Sequence, residues 1–69
     1  MKTVTLHLDP PADPAEAGRA LSELSGVMAT EIRGDRLVVH CGRRMSGEAL
    51  IHTLQSRGCS ARELSSSPE

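Results

Sequence analysis

The sequence has no phenylalanine, tyrosine or tryptophan, and that absence closes one route and narrows another. A sheet that binds RNA by stacking bases on its aromatic side chains cannot be built from it. A core has to come from Leu, Val, Ile, Met and Ala, which bury less area per residue than aromatics do. Charge of one sign is lacking too, because eight Lys and Arg against nine Asp and Glu leave a net charge of −1. No field then gathers phosphate backbones or anionic lipid, so nucleic acid is not expected as a partner. There is no apolar run of the roughly 18 residues that a spanning helix needs, and Met1 and Lys2 lead into alternating residues with no apolar leader core. The expectation is a cytoplasmic protein with no membrane insertion. Cysteine is scarce: Cys41 and Cys59 stand far apart in the chain, and in a reducing compartment they are expected as free thiols. No phosphate-cradling glycine motif or paired carboxylate set is present, so an enzyme is not expected.

What remains is enough for one small domain. A chain of 69 residues hides only about 60% of the surface its unfolded form exposes, so each apolar position has to be well used. Residues 2–8, KTVTLHL, alternate with period two, placing Val4, Leu6 and Leu8 on one face and Thr3, Thr5 and His7 on the other. The proline-rich DPPADP cannot continue a sheet ladder. It leads into a helix for which Asp13 is the N-cap, Pro14 the first helical residue and Glu16 the third capping-box position. Ala17, Ala20, Leu21 and Leu24 follow at helical spacing, and Gly26 marks the stop.

Val27 to Arg33 reads as a strand with a bulge near Val27. Gly34-Asp35 is a hairpin turn, and RLVVHC is the returning strand. Ser46 caps a second helix carrying Leu50, Ile51 and Leu54 inward, with Arg57 and Gly58 as its stop signals. Residues 59–64 form a closing edge strand, and SSSPE is a polar tail. The order β-α-β-β-α-β is a split βαβ pair. Right-handed crossovers place both helices on one face of a four-stranded antiparallel sheet. The fold class is therefore α+β, a ferredoxin-like sandwich over residues 1–64, with residues 65–69 as a disordered tail.

Two segments, ALSELSGVMATEI and EALIHTLQSRGCSA, carry a family likeness. In their spacing of helix end, glycine and following strand the chain resembles the heavy-metal-associated (HMA) family of metallochaperones over residues 3–64. That family has Met-Thr-Cys-x-x-Cys after its first strand, and the two thiolates hold a soft ion. Here the aligned residues are Leu8-Asp9-Pro10-Pro11-Ala12-Asp13, so Pro10 and Asp13 stand where the cysteines would be.

The resemblance implies a protein of heavy-metal trafficking or detoxification that acts mainly by protein contact. Its partner would be a metal transporter, a chaperone or another copy of itself, and no cofactor is expected. The contact residues would be Thr5, His7, Val38 and His40 on the open sheet face, with the edge strand from Cys59 to Leu64 as another surface. Arg33 and Arg36 at the hairpin tip would serve as handles for an acidic partner. The alternative reading is a zinc or copper ion held by Cys59 and His7 with Asp9 or Asp13, because the loops carrying these residues share one end of the sheet. His40 and His52 read as ordinary solvated histidines.

Overall fold

In the computed structural model, which describes residues 2–10 and 12–68, the alternation of the first segment becomes a strand buried on one side. Val4 and Leu6 are fully buried and Leu8 nearly so, while Thr3, Thr5 and His7 are half-buried on the opposite face. The elements run β1 (Lys2–Leu8), α1 (Pro14–Ser22), β2 (Val27–Arg33), β3 (Arg36–Cys41), α2 (Gly47–Ser56) and β4 (Ala61–Pro68). The strands lie in the order β2-β3-β1-β4, all antiparallel. This is the ferredoxin-like βαββαβ sandwich. Leu37, Val39 and Cys41 of β3 join the β1 residues beneath Leu21 of α1 and Leu50 and Leu54 of α2.

Local chemistry fixes the helix ends. The Asp13 carboxylate accepts from the Ala15 N–H at 3.0 Å, and Pro14 occupies the first turn, where a missing N–H costs nothing. α1 stops at Ser22, short of the expected Gly26. Ser22 Oγ donates to the Gly18 carbonyl, and single-turn bonds from Leu24 to Leu21 and from Val27 to Leu24 carry the chain round to Gly26, where φ is 103°. Ser46 caps α2 through the Ala49 N–H. At the other end Gly58 N–H donates to Gln55 and Cys59 N–H to Leu54, the pair of bonds of a Schellman closure, with Gly58 at φ 82°.

Two differences from the sequence expectation lie in β4. It begins at Ala61, because the Cys59 N–H is already committed to closing α2. It also continues through Ser65, Ser66 and Ser67 to Pro68, in the segment expected as a tail, pairing with Thr5, Val4, Thr3 and Lys2 of β1. The backbone of β1 needs partners along its whole length, and a ladder takes them from any residues with free N–H and C=O groups. A register shift between Thr5 and Leu6 accommodates Leu64. The bulge expected near Val27 is present, between Val27 and Ala29. Glu69 lies outside the described residues.

Candidate functional site

Three connections meet at one end of the sheet. The Leu8 N–H donates to the Asp35 carbonyl at 3.1 Å, tying β1 to the β2–β3 hairpin, and the Asp9 N–H donates to the Ser60 carbonyl at 2.9 Å, tying it to the α2–β4 loop. Asp9 then turns the chain, its carbonyl accepting from the Ala12 N–H, before Asp13 caps α1. The mouth is thus stitched by backbone bonds before any side chain is considered.

The side chains continue the pattern. Asp9 Oδ2 accepts from Ser60 Oγ at 3.3 Å, while its Oδ1 lies 3.6 Å from His7 Nε2. On the other side of the imidazole, Nδ1 is 3.4 Å from Asp35 Oδ2. His7 is the most enclosed of the three, 21% exposed against 46% for Asp9 and 68% for Asp35. It sits between Arg36 and Arg62 in the strand register. The two carboxylates approach opposite sides of one imidazole, a geometry that orients the ring rather than gathering donors about a common point.

Cys59 lies on the helix side of the mouth. Half-buried and packed against the core, it lines one depression with Asp9, Ala12 and Ser60 and another with Ala20 of α1 and Glu23, the C-cap of that helix. Arg57 borders both depressions and pairs with Glu23 at 2.6 Å. Asp9 is therefore the residue that meets both His7 and the Cys59 loop, whereas Asp13 is engaged as a helix cap. Among the described residues no group of three or more His, Cys, Asp and Glu side chains is arranged to hold a metal ion. The mouth also offers one thiol, one imidazole and carboxylates, a donor set that does not fit a soft monovalent ion. Asp35 and Ser60 belong to this mouth although the sequence reading did not single them out. Their positions, one in the hairpin turn and the other just after Gly58, were the signal.

The residues expected for docking lie on the open sheet face, as their register requires. Thr5 is opposite Val38 and Thr3 opposite His40, with Thr3 Oγ1 and His40 Nδ1 3.3 Å apart. All four are half-buried. Ala29 and Glu31 of β2 lie beside His40 and Val38. Arg33 and Arg36 face each other across the hairpin end, and Arg33 is held by Glu31 at 2.9 Å.

No family model matches the chain, and no curated protein matches it. Solved structures do. A copper-binding domain from HMA7, a P-type ATPase, superimposes with a TM-score of 0.84 at 15% identity, covering 96% of this chain and 97% of that one. The yeast copper transporter domain Ccc2A, solved in apo and Cu(I)-loaded states, gives 0.81 at 16% identity over 94% of this chain and 97% of its own. Oxidized MerP from Ralstonia metallidurans CH34 gives 0.81 at 21% identity over 94% of this chain and all of its own. At these identities the likeness is one of fold.

Proposed function

We propose that this chain is a small metal-trafficking or detoxification protein that works by contact with another protein and does not carry a soft ion itself. One observation carries the reading. In a fold shared with domains named for copper binding and copper transport, the mouth here is closed on itself by His7, Asp9, Asp35 and Ser60, with Pro10 and Asp13 in place of thiolates. The open face supplies the contact surface. Thr5, Val38 and His40 offer a half-buried, mixed apolar and polar floor, and Arg33 and Arg36 provide a basic rim suited to an acidic patch.

The partner that fits is a soluble domain of a metal transporter or a metal chaperone. No described helix is long and apolar enough to cross a membrane. The reading takes the protein to act in the cytoplasm, a compartment that keeps thiols such as Cys41 and Cys59 free. An enzyme activity is not part of the reading. The test is an NMR titration of labelled protein with the soluble domain of a copper- or zinc-transporting ATPase. Shifts confined to β1 and β3 on the open face support it, and their absence at high partner concentration refutes it.

A second reading has one observation in its favour: Asp9 touches His7 and lines the same depression as Cys59. Two copies could share one zinc or copper ion, each supplying part of the set. Zn(II) and Cu(I) titrations of reduced protein decide it, with Cys59→Ser and His7→Ala as controls. Equal behaviour of all three proteins ends this alternative.

A further inference from the structure

β2 is an edge strand, paired to β3 on one side only. Edges are commonly blunted by proline, lysine or a bulge. VMATEIR has neither proline nor lysine, and its bulge, between Val27 and Ala29, protects only the half far from the hairpin. The other half is regular, with Thr30, Glu31, Ile32 and Arg33 opposite Val39, Val38, Leu37 and Arg36. A two-residue turn closes on Arg33 and Arg36, so these two exchange backbone bonds, and by alternation so do Glu31 and Val38. The N–H and C=O groups of Thr30 and Ile32 are thereby turned to the outer side. Ile32 is also 51% exposed, one of three large apolar residues left uncovered among the described residues.

The exposed triad Glu31-Ile32-Arg33 is its own complement. Laid antiparallel on itself about Ile32, it puts Glu31 opposite the second copy's Arg33, and Arg33 opposite the second copy's Glu31. Ile32 meets Ile32 on the axis. Opposite charges directly across a non-hydrogen-bonded pair stabilise a ladder, and like charges oppose it. Neighbouring registers fail on the same rules. Centring on Glu31 sets that carboxylate against itself, and centring on Thr30 runs the pairing into the bulge. Thr30 falls opposite Gly34, at φ 66° with open space around it, so nothing obstructs the approach.

We propose that the hairpin half of β2 is a docking edge for a second copy of this chain, joined antiparallel about Ile32 into one eight-stranded sheet. Glu31 and Arg33 are exposed and paired within the strand, so exchanging that pair for two across the edge costs little. So short an edge covers far less than the roughly 800 Å² per partner of a standard interface, and the dimer is weak and concentration-dependent. The edge adjoins the hairpin that borders the mouth, and Arg33 is also a rim residue of the function proposed above. The test weighs this chain alone, with no partner protein or metal, so its failure and the failure of that reading are distinguishable.

The test is sedimentation equilibrium over rising protein concentration. The wild-type chain rises toward twice the monomer mass. Glu31→Arg and Arg33→Glu, each alone, stay at monomer mass, because each sets like charges against like, and an equimolar mixture of the two regains the wild-type association. In a Cys59→Ser background, Ile32→Cys forms a disulfide-linked dimer on mild oxidation, the Cα separation of a hydrogen-bonded pair suiting a bridge, whereas Thr30→Cys does not. A wild-type chain that stays monomeric, charge variants that associate singly as well as it does, or a mixture no heavier than its components would overturn the proposal.

Discussion

The two cysteines stand in contrasting environments, and the contrast explains how the chain uses its sulfur. Cys41 ends β3 with no exposed surface, packed among the aliphatic core, and burial pushes its thiol up despite the nearby Lys2. Cys59 sits half-exposed at the rim of the mouth, among Glu16 and Arg19 of α1 and the charged C-caps Glu23 and Arg57 of the two helices. One sulfur is a small hydrophobe and the other is accessible, but neither has a second thiol beside it. A soft ion needs a pair of thiolates at one point, and this chain has distributed its two thiols between core and rim.

The largest expected effect lies in the layer to which Cys41 belongs. Leu37→Ala removes a fully buried side chain between the sheet and α1 and should cost about 2–5 kcal/mol in urea unfolding, whereas Asp9→Ala at the mouth should cost less than about 1 kcal/mol. Equal losses would erase the distinction between a structural core and a solvated mouth. The next contrast is between the thiols themselves. Cys41→Ser buries a hydroxyl in an apolar setting and should cost about 1–3 kcal/mol, while Cys59→Ser should stay within about 0.5 kcal/mol of the parent. A thiol reagent should label one cysteine at once in the folded protein and the second only as the chain opens.

The pH dependence sharpens the same comparison. The folded-state pKa of Cys41 is raised above its ordinary 9.0 by desolvation. The unfolded chain therefore binds fewer protons above that pH, and stability falls as pH rises through and beyond it. Below pH 9 the contribution of the buried thiol is fully present. Unfolding midpoints measured from pH 7 to pH 10.5 should decline on the alkaline side, and Cys41→Val should flatten that decline. A decline of the same size in the variant would assign it to other groups. The smallest effect is at Gly47, buried where a Cβ would overlap the Glu63 carboxylate. Glu63 is exposed and its end can swing away, so Gly47→Ala should lose about 1 kcal/mol or less. Adding Glu63→Ala should recover that loss in a double-mutant cycle.

The elements themselves were legible because each carries its own local signal. The alternation of β1, the caps at Asp13 and Ser46, and the Gly58 stop are all decided within a few residues, and the structure realises each of them. The extension of β4 through Ser65, Ser66 and Ser67 was not legible. A serine run announces a tail by composition, and only the unfilled ladder of β1, distant in sequence, calls it into the sheet. At the mouth, the order of the connections sufficed to bring His7, Asp9 and Cys59 to one end of the sheet. What sequence could not give was that Asp9 and Asp35 take His7 from opposite sides, since that depends on the hairpin tip bonding to Leu8.

The most direct measurement is a Cu(I) titration of the fully reduced chain against a chromophoric chelator, with Cys59→Ser measured in parallel. A mouth without paired sulfur predicts that the chelator keeps its copper and that the two proteins give superimposable curves. One equivalent of copper withdrawn by the parent chain and left behind by Cys59→Ser would contradict it.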